Sequence, residues 1–402
     1  MKKKILWAAN SYWNSPFQVG ANNLAREFLK DGWHILFISD PISPFHLLRR
    51  GSKSDIADRF ETWRRGGEEA WDGQLIYYSP FTLLPPYDKP FLKSEAVLEN
   101  WHRLAFPNIK KKVKNFGFAE VDLLIIDSVT QHFWIDTIKS ETTVVRITDN
   151  FAAFEKISAA AMKKEKELIS RADHVLFTSK CLEEHVLTNG ARQCTYVPNG
   201  VNLEKFNTIG KTLPAEYENI PEPRVIYVGA IEKWFDTDLM AHLATQLPEV
   251  SFVIIGPVRA SLKSLEKFKN IYILGKRDSD TIGQYMANAK VGIIPFDASD
   301  AVVDSIHPLK LYEYLACELS VVTIDWRELE EIDAPFYRAK NKDEFLSAVQ
   351  LALNETFNRT DLKKFDWNSR YNSVKNVLQL NGEGAVVNGL KPRLDSQIII
   401  DQ

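Results

Sequence analysis

Residues 305–323 read SIHPLKLYEYLACELSVVT, and they decide how the rest of the chain is read. His307-Pro308 opens the stretch, a helical run from Lys310 to Ala316 follows, and Val321-Val322-Thr323-Ile324 is a short apolar strand. Pro308 suits the first helical turn, where a missing N–H costs nothing. A helix beginning there points free N–H groups and the positive end of its dipole at the Ser305–His307 loop. Lys310 and Glu313 lie three apart and therefore share one face near that end. A cation beside an anion-friendly helix start meets phosphates, and a carboxylate one turn along accepts hydrogen bonds from two ribose hydroxyls. A plain solvated Lys–Glu pair would give the same spacing. The buried-type strand that follows favours a nucleotide site in an α/β fold.

HPLKLYEYLACELSVV resembles the donor-site helix of nucleotide-sugar glycosyltransferases of the two-Rossmann, or GT-B, architecture. Their usual form is P-x-K-x-x-E-Y-x-A-x-G-x-P-V-V. Glu318-Leu319-Ser320 stands here where Gly and Pro usually fall. The resemblance implies that Glu313 binds the nucleotide ribose and that Lys310, with His307 and Leu311 around it, faces the diphosphate.

Working outward, 402 residues exceed one ordinary core and suit two domains. Hydrophobic content of 45% and charged content of 26% are those of a globular protein. A net charge of −3 provides no cationic excess for nucleic acid. Cys181, Cys194 and Cys317 lack metal-ligand spacing and read as reduced thiols of a cytoplasmic protein. The opening MKKKILWAAN is a strand start rather than a signal peptide, and no run approaches the ~20 apolar residues of a membrane span.

In the first half, strands are expected at 5–9, 34–39, 121–127, 143–148 and 174–179, with a βαβ opening around the helix 22–29. The loop before Gly20 lacks a G-x-G-x-x-G turn. Gly20 there allows close approach of another molecule or simply a turn; the family resemblance puts this loop on the acceptor side. Residues 41–115 mix Arg49-Arg50, Arg64-Arg65 and Lys110-Lys111-Lys112 with Trp63, Trp71, Phe81, Phe91, Trp101 and Phe106. Basic residues among aromatics suit peripheral contact with an anionic membrane face, and equally suit solvated helices whose aromatics enter the core. Asp127 and Asp149 each follow a strand, where open α/β sheets place ligands.

In the second half the strands are expected at 224–229, 251–256, 270–275, 291–295 and 320–324, which predicts a covered parallel sheet. Gly229-Ala230 ends the first of them and lets backbone N–H groups approach a phosphate. Arg277 suits the base or the phosphates, or an ordinary surface. GAIEKWFD (229–236) resembles bacterial sugar transferases of surface-polysaccharide synthesis; on that resemblance alone Asp236 touches donor sugar or acceptor. PNGVNLEKF (198–206) resembles the segment ending the first domain of these enzymes. The expected division is an acceptor-side Rossmann-like domain at 1–207, a linker at 208–223, a donor domain at 224–364, a helix at 365–380 crossing back to the first domain, and a peripheral tail at 381–402.

VVRITDNFAAF (144–154) resembles the catalytic-Asp region of GumK-like glucuronosyltransferases, which implies Asp149 as general base; an N-cap for a helix near Phe151 is the plainer role. Asp127 and His132 are the alternatives. Retaining relatives carry a second Glu eight residues before the ribose Glu, where this chain has Ser305, so inversion is expected. No D-x-D motif follows a strand, so no metal or other cofactor is expected. The expected activity is transfer of a sugar from a nucleotide sugar, a UDP-sugar foremost, to a saccharide or lipid-linked acceptor of a surface polysaccharide. Rival readings are a nucleotide-sugar epimerase of the same fold and a catalytically silent nucleotide-sugar-binding subunit.

Overall fold

A computed structural model describes residues 2–15, 20–47, 53–86, 91–150, 153, 157–207, 212–278, 280–355 and 361–380. The expected tail 381–402, the linker's first residues 208–211, and Arg49-Arg50 lie outside the described residues.

Eight strands form the first sheet: β1 (Lys4–Ala9), β2 (His34–Ser39), β3 (Glu68–Ala70), β4 (Leu75–Tyr78), β5 (Glu120–Ile126), β6 (Lys139–Ile147), β7 (His174–Phe177) and β8 (Cys194–Tyr196). Their order is β3-β4-β2-β1-β5-β6-β7-β8. Every pairing is parallel except β3 with β4. β1 is central, with Leu6 opposite both Leu36 and Leu124. Both its faces are covered, which is why it reads as a continuous apolar run. Leu6 and Ala8 pack with Ile126, Val145 and Leu168, whereas Ile5, Trp7 and Ala9 pack with Leu24 and Phe28 of the Gly20–Lys30 helix.

The second sheet contains β9 (Arg224–Val228), β10 (Ser251–Ile255), β11 (Ile271–Gly275), β12 (Val291–Ile294), β13 (Ser320–Ile324) and β14 (Tyr337–Ala339), ordered β11-β10-β9-β12-β13-β14 and wholly parallel. Each sheet reverses its strand order beside its central strand, and such switch points are where α/β sheets bind ligands. The two fall at β1/β5 and at β9/β12.

Residues 41–115 hold the short hairpin of β3 and β4 and the helices Lys53–Arg64, Glu95–Asn100 and Ile109–Asn115. Their aromatics divide. Trp101 is fully buried and Trp63 stacks on Phe81 at 4.8 Å, while Phe91 and Phe106 are about 70% exposed at 68% and 71%.

The chain passes between the two sheets twice. The second passage ends in the Trp367–Val377 helix, which packs on the Gly20–Lys30 helix with Phe28 and Tyr371 edge to face at 4.8 Å. Tyr371 also donates to Asp31 at 2.6 Å, and Lys375 pairs with the same carboxylate at 3.0 Å. Where the passages meet they are hydrogen-bonded: Val201 N–H donates to the Phe365 carbonyl at 2.9 Å, and Trp367 N–H to the Val201 carbonyl at 3.1 Å.

The decisive helix runs Leu309–Ala316, with Pro308 one place earlier than expected, at the N-cap. It ends in a left-handed turn at Glu318 (φ 61°), where Leu319 N–H bonds the Tyr314 carbonyl and Glu318 N–H bonds that of Leu315, both at 3.1 Å. This is a Schellman termination, and it explains why glycine is usual there.

Candidate active site

Gly229 follows the last residue of β9, with a φ of 156° that opens the strand end. Its neighbour Gly256, at the end of β10, comes so close that a Cβ there would stand 1.8 Å from the Gly229 carbonyl oxygen. A Cβ on Gly229 itself would stand 2.9 Å from Lys310 Nζ and 3.1 Å from the Tyr227 hydroxyl. The strand-end glycine and the helical lysine expected to meet phosphates are thus adjacent. The Leu309–Ala316 helix reaches β9 because the Tyr314 hydroxyl accepts from Val228 N–H at 2.8 Å. Gly292 of β12 makes the room, since a Cβ there would lie 2.5 Å from the Tyr314 ring.

Lys310 Nζ stands over the rings of Phe296 (4.5 Å) and Tyr227 (4.9 Å) and donates to the Tyr227 hydroxyl at 3.4 Å. Burial pushes this ammonium down to about 8, with Glu313 opposing. Glu313 lines a cleft cavity of about 460 Å³ between the two halves, facing Asn23 and Arg26 of the first half and Lys205 of the connecting segment. Burial raises its carboxyl, and Lys205 and then Lys310 pull it back down. A carboxylate, several amides and cations around one cleft suit the hydroxyls and phosphates of a nucleotide.

The other expected donor residues divide. The His307 ring is 4% exposed, stacks on Tyr312 at 5.5 Å, and meets the Tyr312 hydroxyl at 3.2 Å. Burial lowers its pKa to about 3, so the ring is neutral; its carbonyl accepts from Asn199 across the cleft at 3.0 Å. Leu311 was expected at the donor, but its side chain is fully buried in the second core and its N–H bonds the Pro308 carbonyl, so it anchors the helix. Arg277 grips Glu216 at 2.9–3.0 Å and Tyr285 at 3.2 Å, tying the approach segment to the sheet. Ala230 contributes its carbonyl to the Tyr227 hydroxyl at 2.8 Å. Asp236 caps the Thr237–Gln246 helix, accepting from Leu239 N–H at 2.8 Å.

In the first half Asp149 follows β6 at the carboxyl end of the sheet, lines a cavity of about 10 Å³ together with Asp127 and Arg146, and accepts from the Thr148 hydroxyl at 2.8 Å. Burial raises its pKa, against Thr148 and Arg146. Phe151, at the helix start that Asp149 was weighed as capping, lies outside the described residues. Asp127 is buried and accepts from Trp7 Nε1 at 2.8 Å and from Arg146 Nη1 at 3.3 Å. His132 is 8% exposed, with Nδ1 3.1 Å from the Val129 carbonyl and its pKa lowered by burial. Gly20 lies beneath Arg146: a Cβ there would be 2.4 Å from Nη2 and 2.9 Å from Asn199 Oδ1. Arg146 and Asn199 thus both lie against Gly20, and Asn199 carries the contact on to the His307 carbonyl of the second half.

Arg146, Asn199, Lys205 and Glu328 were not singled out from sequence. Arg146 left a signal, a charge inside the apolar strand VVRIT. Glu328 left none. It comes from the second half, is fully buried, and accepts from Ser179 (2.6 Å) and Tyr196 (3.0 Å) of the first.

Comparison with known proteins agrees with this geometry. Residues 7–178 match the glucuronosyltransferase GumK N-terminal domain family, and residues 222–355 match glycosyl transferases group 1. No curated protein sequence matches the chain. Among solved structures, sucrose-phosphate synthase from Thermosynechococcus elongatus superposes with a TM-score of 0.68 at 16% identity, covering 94% of this chain and 99% of its own. Anabaena HepE in complex with UDP-glucose gives 0.64 at 15%, covering 94% and 100%. The trehalose 6-phosphate synthase from Burkholderia multivorans gives 0.62 at 11%, covering 94% and 99%. Two family matches that fall one on each sheet, and a fold shared end to end with these enzymes, lead to one conclusion: this chain is a GT-B glycosyltransferase, a GumK-type first domain joined to a group 1 glycosyl transferase domain.

Proposed function

We propose that the enzyme moves a sugar from a UDP-sugar to a saccharide or lipid-linked saccharide in surface-polysaccharide synthesis, with inversion and without a metal. The observation that carries the donor reading is the placing of Lys310 against Gly229 with Glu313 one turn on, facing the cleft. Glu313 accepts the ribose hydroxyls. Lys310 and the open start of its helix meet the diphosphate and stabilise it as it leaves. Asp149, at the carboxyl end of β6, serves as general base. The acceptor oxygen bonds to the anomeric carbon and its proton passes to the Asp149 carboxylate. The bond to the diphosphate breaks, and its electron pair leaves on UDP. The HepE complex with UDP-glucose, a protein of the same fold, supports this choice of donor.

The test is a panel of nucleotide sugars scored by thermal stabilisation, followed by NMR of the product anomer. A ligand at a hundred times its Kd adds about 2.7 kcal/mol of stability. Stabilisation by no UDP-sugar removes the donor assignment, and a retained anomeric configuration removes the base.

A lipid-linked acceptor requires access to a membrane face. Among the described residues no helix is long and apolar enough to cross one. Phe45, Leu83, Leu104 and Phe106 are exposed at 49%, 61%, 47% and 71%. The bridges Ile42–Phe81 and Thr82–Ala105 set their segments beside one another, with exposed Arg103, Lys110 and Lys111 nearby in the chain. We read this as peripheral contact with an anionic bilayer. Flotation with phosphatidylglycerol vesicles but not phosphatidylcholine vesicles, lost in Leu104→Asp/Phe106→Asp, is the expected result.

A further inference from the structure

β5 and β6 pair in a register that sets Ile126 opposite Val145. The next residue on each, Asp127 and Arg146, therefore emerge side by side at the carboxyl end of the first sheet. Both are nearly sealed from solvent, at 1% and 4% side-chain exposure. One carboxylate oxygen takes both the Arg146 and the Trp7 hydrogen bonds, and the other, Oδ1, is buried with no partner. Asp127, Ser128, Arg146, Asp149 and Glu165 line a cavity of about 10 Å³. The second guanidinium nitrogen of Arg146 reaches to Gly20, which also lies against Asn199, whose amide donates to the His307 carbonyl.

A buried ion pair is weak evidence of stabilisation, because desolvating two charges offsets much of their attraction. Here the pair sits at the strand ends and lines the same small cavity as Asp149, the residue read as the base. We propose that Arg146, fixed by Asp127, which Trp7 fixes in turn, is a positioning residue that keeps Asp149 ionised for the acceptor hydroxyl across the small cavity both line. The inference rests on the reading of Asp149 as the base.

Other charges reach the same cavity. Glu165, from the Ala159–Arg171 helix, is occupied by His185 Nε2 at 2.7 Å. Thr148 donates to Asp149 directly. Among the described residues lining this cavity, Arg146 is the cation. Removing it leaves Asp127 and Asp149 lining one cavity without its cation, so the Asp149 carboxylate holds its proton more tightly. Removing Asp127 instead leaves Arg146 uncompensated, so Asp149 releases its proton more readily.

The experiment uses four variants of the full chain and two readouts. The first readout is the acid limb of the pH profile for UDP release from UDP-glucose, with water as acceptor. The second is carboxyl ¹³C NMR titration, with the Asp149 resonance identified by its loss in Asp149→Asn. Arg146→Met should move both to higher pH and Asp127→Asn both to lower pH, each by about one pH unit, while Arg146→Lys stays near wild type. A merely structural pair would lower rates or melting temperatures without shifts of opposite sign. If Arg146→Met does not fold, a downward shift in Asp127→Asn beside an unshifted Arg146→Lys still supports the proposal. No shift, or shifts of one sign, overturns it. Full turnover by Asp149→Asn overturns the base itself, and the role of Arg146 with it; an inactive Asp149→Asn with no opposing shifts overturns the positioning alone.

Discussion

On the donor reading proposed above, Lys310 makes UDP binding sensitive to pH in a predictable direction. Its ammonium is displaced from the 10.5 of a free lysine to about 8, chiefly by burial against Tyr227 and Phe296. At about 1.4 kcal/mol per pH unit, that displacement is on the order of 3 kcal/mol disfavouring the charged form. Because the folded pKa lies below the unfolded one, the cost to stability is full below about pH 8 and fades as pH climbs from there toward 10.5. A diphosphate beside Gly229 supplies the missing countercharge, so binding restores the proton's affinity and takes up a proton at alkaline pH. UDP affinity should therefore be level near neutrality and fall about tenfold for each pH unit above about 8. Titration calorimetry in two buffers of different ionisation enthalpy, from about pH 7 to about pH 9.5, measures both the fall and the proton count. Lys310→Met should bind UDP more weakly, by roughly 1.5–3 kcal/mol, and lose this part of the pH dependence. A wild-type affinity that stays level across the range refutes the reasoning. So does an identical fall in Lys310→Met, which would assign the titration to the ligand.

Glu313→Ala should weaken UDP binding by roughly 2–4 kcal/mol in the same calorimeter, since two charge-assisted hydrogen bonds are lost, and leave the melting temperature close to wild type. Turnover should survive EDTA; abolition by chelation, with recovery on magnesium or manganese, would relocate the diphosphate's countercharge to an ion. Glu318→Gly should raise stability by about 1 kcal/mol, seen as a melting temperature higher by roughly 2–4 °C, because φ at 318 is 61° and a side chain there is strained. Gly256→Ala should lower soluble yield or melting temperature and UDP affinity together, as its Cβ would collide with the Gly229 carbonyl. Unchanged UDP binding in that variant would mean that the strand ends can part without disturbing the phosphate site.

The legible parts of this chain were those where local pattern and tertiary role coincide. β1, β5, β9 and β12 are covered on both faces, so their apolar runs announce them. The helix bearing Lys310 and Glu313 was readable because its entry proline, its spacing and the strand behind it all agree. The hairpin of β3 and β4 was not. Glu68-Glu69-Ala70 has no apolar alternation, and the chain turns at Trp71 and Asp72, both at positive φ without being glycine. Residues contributed across space were also hidden. That Asp127 meets Arg146 depends on the register of β5 with β6, and that Glu328 meets Ser179 depends on how the halves dock. The family wording at 305–323 did expose one local strain, the glutamate at 318 in a glycine position.

The hydrogen bonds of Val201 to Phe365 and Trp367 have a mechanical consequence. A single tether would let the two halves turn about each other freely, as on a ball joint. Two tethers bonded side by side act as two pins of one door hinge and leave a single easy axis of rotation. Any opening of the cleft about that axis would carry Glu313, which lines it, along one arc relative to the first half, so the path by which the two halves approach is built into the crossing.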